Sequence, residues 1–435
     1  MTTQIKSNIW HPCTKLNTHK SNPPLNIIKS NGSYLYTEKE EKIIDGISSW
    51  WCKTLGHNHP EINQSIINQL SKVDHSMLGS TTNPQIESLT YQLGLLTNGL
   101  SKVFYAGGDG SSAVEVALKL SLHSRKLKKQ KHKTKFISLS NGYHGDTSGA
   151  MSVSNNKTID NTPYKEMLFD CYNIQNIPYV TGSEDPKWSN CKDEWSLIET
   201  ELNIRSKSTN AIILEPIVQG AGNMKIYSRD FLHRLSKWCQ KNDIYLIADE
   251  IMTGIGRTGK MFAFQHANIT PDFVCIGKGI TSGSLPLSMV LVNDNVYEIF
   301  YNSDSKDTAF LHSHTYAGNT LASRAASTTL SIIKKQNILT YVNTILHPYL
   351  LESFKSVAKK TGMISNIRSI GAIVAGDVDT KKSYEFSTKF ARESGKLGAL
   401  LRPLGNTIYW LPPLNTNLDT ISKLEKITYS TLYKI

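Results

Sequence analysis

Long apolar runs are missing from this chain of 435 residues. No stretch approaches the roughly 18 uninterrupted apolar residues that a membrane span needs, so no membrane partner is expected. The opening residues, MTTQIKSNIWHPC, lack the charged-then-apolar order of a signal peptide. Paired cysteines are missing as well. Cys13, Cys52, Cys171, Cys191, Cys239 and Cys275 are scattered with no CxxC, which points to reduced thiols and a cytoplasmic location. No repeat, low-complexity tract or disordered linker interrupts the chain, which excludes solenoids and tail-like interaction proteins.

Arginine is scarce, nine of the 48 cationic side chains, although the formal charge is +12. The densest basic run, RKLKKQKHKTK at 125–135, has two readings. One is an anionic or nucleic-acid patch; the other is the solvated end of a helix that starts near Ser112. No aromatic residues interleave with the charges as a stacking platform needs, so the second is taken and no nucleic-acid partner is expected. His57 and His59 in GHNHP invite a metal, but two histidines lack the third and fourth ligands of a zinc site, and no metal is expected.

What is present is an alternation. The runs KVFYAG, TKFISLS, NAIILEPI, IYLIADE, DFVCIG and LSMVLV read as strands, several continuously apolar as in a sheet covered on both faces. Helical stretches such as SSAVEVALKLSLHSRKL and SRDFLHRLSKWCQKN separate them, which argues for an α/β domain around a mostly parallel sheet. An N-terminal hairpin turning at Asn31-Gly32 precedes it, followed by a helix with Pro60 in its first turn. The last hundred residues read as a smaller α+β domain that the N-terminal hairpin can join. The expected division is 1–80 with the small domain, 81–338 as the large domain, and 339–435 as the C-terminal part of the small one.

Ligands of open α/β sheets bind at the carboxyl ends of the strands, so the residues that follow each run matter. After KVFYA comes GGDGSSAVEVALK, where Gly110 and Ser111 open a helix and can cradle an anion with backbone N–H groups; the spacing is not that of a P-loop. After KFISLS comes NGYHGDTSGAMSVS, with Tyr143 and His144 between glycines and a ring able to stack on a flat ligand. After NAIIL come Glu215 and Gln219. After IYLIA come Asp249 and Glu250, which as adjacent strand residues face opposite ways. Lys278, after DFVCIG and between two glycines, is an ammonium beside an apolar strand, poorly placed unless something consumes its charge. Each signal alone has a bland reading: a capped turn, a surface loop, a locally bonded carboxylate, an ordinary lysine. Together they match what pyridoxal 5′-phosphate needs: a helix start for its phosphate, a ring partner, an acid to keep its pyridine nitrogen protonated, and a lysine for an imine.

EPIVQGAG, LIADEIMTGIGRTGKMFAFQHANITPDFVCIGKGIT and NGYHGDTSGAMSVS resemble class III aminotransferases of the type I pyridoxal-phosphate fold, over about residues 9–414. Within the class, IWHPCTKL, DGISSWWCKTLGHNHPEI and LRPLGNTIYWLPP resemble the branch that acts in biotin synthesis on 8-amino-7-oxononanoate with S-adenosylmethionine as amino donor. Other class III enzymes, using lysine, diamine or ω-amino acid donors, stand as the alternative, and an idle cofactor-binding scaffold as a remoter one. The resemblance implies Lys278 as the Schiff-base lysine, Asp249 as the acid on the pyridine nitrogen, Gly110 and Ser111 as the phosphate loop, and Tyr143 as the stacking tyrosine. It implies Trp50 and Arg402 as substrate contacts, Arg402 for a carboxylate. It implies Thr315 as a phosphate contact from the other subunit, hence an obligate homodimer with shared sites. Arg257 in GRTG is read as structural. Two positions depart from the family pattern. Cys13 stands where a substrate-facing tyrosine is usual, and Ser313-His314 replaces Gly-Pro before Thr315. The first weakens hydrogen bonding and surface, the second removes proline stiffening, and both bear on substrate affinity rather than on cofactor chemistry.

Overall fold

Seven strands form the central sheet of the computed structural model, which describes residues 8–20, 23–156, 161–303, 306–380 and 383–435. Their order is Lys102–Gly107, Ser288–Val292, Phe273–Ile276, Tyr245–Asp249, Thr209–Leu214, Lys135–Leu139 and Cys171–Ile174. Ser288–Val292 runs antiparallel to both neighbours; the pairs from Phe273–Ile276 through Cys171–Ile174 are parallel. The sheet is therefore mostly parallel, and the six expected strands are all in it.

Continuous apolar runs fill both faces because side chains alternate along a strand. Ile213, Ile247, Cys275 and Val290 point into one core, which Ala113, Val114 and Ala117 of the helix Gly110–Leu127 complete. Ile212, Leu246, Val274 and Leu291 point into the other, against Phe231, Leu235 and Trp238 of the helix Arg229–Lys241. Each fully buried Leu or Ile of this kind contributes about 1.5–3 kcal/mol to the stability of the layered core.

The N-terminal hairpin Ile27–Asn31 and Tyr34–Thr37 extends through Lys42–Asp45, which pairs in parallel with Ala399–Leu400. The two ends of the chain thus share one small sheet. A second small sheet joins Ile364–Ile370, Ile373–Val378 and Thr407–Trp410, and the helix Leu418–Lys434 closes the chain.

Two cations of the basic run at 125–135, Arg125 and Lys133, are buried rather than solvated. Arg125, Lys128 and Lys133 converge on Asp243, with nearest N–O distances of 3.0, 3.1 and 3.7 Å. Arg125 is 1% exposed and also bonds Asn210. Among the described residues no helix is long and apolar enough to cross a membrane.

Candidate active site

The carboxyl ends of the central strands carry the chemistry. Tyr245–Asp249 and Phe273–Ile276 are parallel neighbours with Asp249 in register with Cys275. That register brings Asp249, at the end of one strand, beside the turn that carries Lys278 past the end of the next. Lys278 holds a left-handed φ of +40°, a conformation disfavoured for a residue with a Cβ and typical of functional sites. Its ammonium has no hydrogen-bonding or ionic partner among the described residues and lies 5.2 Å from the centre of the Trp51 ring. Burial pushes its pKa below the ordinary lysine value, and the Asp249 charge opposes that shift.

Asp249 is 4% exposed. One oxygen accepts from the Ile251 N–H at 3.1 Å; the other lies 2.7 Å from His144 Nδ1. The other ring nitrogen of His144 is buried without a partner among the described residues. Glu250 faces away, as the alternation requires. Its carboxylate accepts from the Phe264 N–H and the Thr253 hydroxyl, and burial pushes its pKa up to about 7.

A cavity of about 190 Å³ joins Asp249 and Lys278 to Trp51, Gly110, Ser111, Tyr143, Glu215 and Ile251. Asp109 caps the helix Gly110–Leu127 by accepting from the Ser112 N–H at 3.0 Å. The N–H groups of Gly110 and Ser111 are left without an acceptor among the described residues, at the positive end of the helix. A Cβ at Gly110 would come within 2.8 Å of Ile251, and one at Gly145 would collide with the Ser111 hydroxyl, so the approach to this helix start stays open only with glycine at both positions. Tyr143 is held by its N–H to Glu215 at 3.1 Å, and its hydroxyl donates to Asp146 at 3.0 Å. Burial raises the phenol pKa strongly, with the Asp146 charge adding to it. Burial also raises Glu215, to about 7.

Trp51 reaches the cavity through an unusual backbone. Ser48, Ser49, Trp50 and Trp51 have φ of +53°, +45°, +71° and +72°. Four successive non-glycine residues in left-handed geometry cost about 1–2 kcal/mol each. The indole of Trp51 is 5% exposed and donates to the Tyr409 hydroxyl at 3.1 Å. Trp50 stands outside the cavity wall. It is 44% exposed, with the Arg402 guanidinium 4.1 Å above its ring.

The structure thus brings together Lys278, Asp249, Tyr143, Gly110 and Ser111, and it adds Trp51, His144, Glu215 and Asp146, to which sequence reading gave no specific role. His57 of GHNHP bonds Asp45, whose carboxylate accepts from the Ser49 N–H in that turn. Cys13 is exposed. Ser313, His314 and Thr315 lie on an exposed segment outside the cavity of their own chain; the His314 ring packs on Gly107, and the Thr315 carbonyl lies 2.9 Å from His75 Nε2. Gln219 is spent on Tyr179 and the Ser140 carbonyl, and Arg257 on the carbonyls of Pro412 and Ala372. Among the described residues no three His, Cys, Asp or Glu side chains gather as a metal site would need.

The profile of the family described as aminotransferase class-III matches residues 16–430. The chain is 38% identical to the adenosylmethionine-8-amino-7-oxononanoate aminotransferase of Helicobacter pylori, covering 95% of this chain and 93% of that one. It is 32% identical to the Staphylococcus aureus protein of the same name, covering 98% and 96%. The crystal structure of the Methanocaldococcus jannaschii protein of that name superposes with a TM-score of 0.87 at 31% identity, covering 99% of this chain and 97% of the other. A PLP-bound amine transaminase from an uncultivated Pseudomonas species superposes with a TM-score of 0.90 at 26% identity, covering 98% and 99%.

Proposed function

We propose, from the premise that this chain belongs to the class-III aminotransferases, that it transfers an amino group from S-adenosylmethionine to 8-amino-7-oxononanoate, giving 7,8-diaminononanoate in biotin biosynthesis. The family is pyridoxal-phosphate-dependent. Support for the substrates comes from relatives bearing that enzyme name at 38% and 32% identity over nearly the whole chain. The single observation that carries the chemistry is the pairing, in one cavity, of a lysine amine without a hydrogen-bonding or ionic partner among the described residues, Lys278, and a buried carboxylate, Asp249.

The residues present fit the cofactor. Gly110 and Ser111 would offer N–H donors to its phosphate, Asp249 would face its pyridine nitrogen and keep it protonated, and Lys278 would supply the amine for its aldehyde. Bound there, pyridoxal phosphate would supply a reactive carbonyl and an electron-withdrawing ring. Lys278, whose pKa burial lowers, would move the α-proton of the substrate. Tyr143 and Trp51 exclude water and border the substrate chain, while Trp50 and Cys13 border it farther out and Ser313 borders that of the second copy. Arg402 binds the keto acid's carboxylate through its forked donors. One pocket serves both substrates in turn, so the kinetics are double-displacement.

His314 and Thr315 act on the cofactor phosphate of a second copy, so the working form is a homodimer with shared sites. Leu311 and Tyr316, on either side of that pair, are 90% and 61% exposed in the single chain, as a segment meant for a partner would be. The reaction is placed in the cytoplasm, with scattered unpaired cysteines supporting that setting. The test is incubation of purified protein with 8-amino-7-oxononanoate and competing donors, S-adenosylmethionine, lysine and a simple amine, with diaminononanoate read by mass. Product formed from S-adenosylmethionine alone is expected; product formed only from another donor assigns the chain to a different class-III activity.

A further inference from the structure

Four consecutive left-handed residues with side chains persist only where the surroundings over-determine them. Ser48, Ser49, Trp50 and Trp51 are such a run, and none is glycine or asparagine. The determinants converge on one carboxylate. Asp45, 0% exposed, accepts from the Ser49 N–H at 2.9 Å, from the Ser49 hydroxyl at 2.6 Å and from His57 Nε2 at 2.7 Å. His57, 5% exposed, is itself fixed by a reciprocal backbone pair with Gly32, at 2.7 and 3.0 Å. One histidine of the GHNHP stretch therefore has a role that is not metal binding. It completes the donor set of the carboxylate that winds the turn, and the turn aims the Trp51 indole at Lys278 and puts Trp50 under Arg402.

We infer that Asp45 and His57 are positioning residues for substrate binding: the buried His57–Asp45 pair holds the left-handed turn at 48–51 and so sets where the two indoles stand before Lys278 and Arg402. This rests on the transaminase reading of the same cavity. Neither residue lines the cavity, so their effect passes through Trp50 and Trp51. A carboxylate with several strong donors and no exposure loses its geometry when one donor goes, because nothing else at the site can replace it.

The test uses the cofactor-loaded enzyme and the variants His57→Ala, His57→Gln, His57→Asn and Asp45→Asn. Glutamine places an N–H donor where Nε2 stands; asparagine falls short of it. Three quantities are read: KM against kcat for the amino donor, the near-ultraviolet circular dichroism of the tryptophans, and Tm. His57→Ala is expected to raise KM by about 10- to 100-fold, with a smaller change in kcat and an altered tryptophan signal. Asp45→Asn is expected to do the same, and His57→Gln to restore both readouts, with His57→Asn failing to. A lowered Tm with KM and tryptophan signal unchanged would mean a purely structural pair and overturns the inference, as does equal behaviour of the Gln and Asn variants. If His57→Ala does not fold, the Gln–Asn contrast decides. If wild-type enzyme transaminates no donor, the functional reading fails separately, and the tryptophan signal still reports whether the pair sets the turn.

Discussion

Nδ1 of His144 lies 2.7 Å from Oδ2 of Asp249, both side chains buried, with the second oxygen of Asp249 taken by the Ile251 N–H. The acid that faces the cavity is thus oriented from two sides, and the histidine that does half of that work sits one residue after the ring-stacking candidate, Tyr143. His144→Ala leaves Asp249 with one donor in a dry site. Cofactor affinity is expected to fall by about 10- to 100-fold, the size of effect seen when an orienting partner behind a ligand is removed. Titration of the purified variant with pyridoxal phosphate, followed by absorbance, measures it.

Lys278→Ala is expected to lower transamination by about 10²–10⁴-fold while the protein still folds, because the proton shuttle is lost but no core contact is. In the wild type, the same amine sets a pH dependence. Burial lowers its pKa, and only the neutral amine takes a proton. Activity therefore rises with pH along a limb displaced below the ordinary lysine value of about 10.4. A pH profile of the donor half-reaction, by stopped-flow absorbance, checks the position of that limb.

The two tryptophans separate cleanly. Trp51 is buried and bonded to Tyr409, whereas Trp50 is exposed beneath Arg402. Trp51→Ala is expected to cost about 3–5 kcal/mol of stability as well as activity. Trp50→Ala is expected to cost less than about 1 kcal/mol, the size of an exposed cation–π contact, and to act mainly through the carboxylate substrate's KM. Urea denaturation beside steady-state kinetics on both variants distinguishes them.

Glu250 makes a prediction away from the chemistry. Its folded pKa, about 7, is raised by burial above the ordinary carboxyl value of 4.5. The folded state then binds more protons than the unfolded one between those values. The group's contribution to stability is fully present below the unfolded pKa and is lost as pH rises through the folded one. Glu250→Gln, which cannot titrate, is expected to reduce the stability difference between about pH 5 and about pH 8 by up to about 3 kcal/mol. Unfolding free energies of both proteins at the two pH values provide the check.

How much of this was legible in the sequence depends on the range of the interaction. The strands Thr209–Leu214, Tyr245–Asp249 and Phe273–Ile276 announced themselves because burial on both faces leaves near-continuous apolar runs. Asp249 and Lys278 followed, since a parallel neighbour places successive strand ends at one edge. Cys171–Ile174 stayed hidden: at the sheet's edge, half-buried, and spelled CYNI, it lacks the apolar run. The turn at 48–51 stayed hidden for a different reason. Left-handed backbone is normally signalled by glycine or asparagine, and here it is imposed by a carboxylate three residues upstream together with a histidine that pairs with the hairpin at Gly32. The basic run at 125–135 reads as the solvated end of a helix, but the helix ends at Leu127 and Arg125 and Lys133 are buried; their convergence on Asp243 depends on contacts more than a hundred residues away.

The most direct test of the account is borohydride reduction of the purified protein after loading with pyridoxal phosphate, followed by peptide mass spectrometry. The account predicts a yellow chromophore that bleaches on reduction and a cofactor-sized mass increment on the peptide containing Lys278. Absence of a chromophore after loading, or an increment on another lysine with Lys278 unmodified, contradicts it.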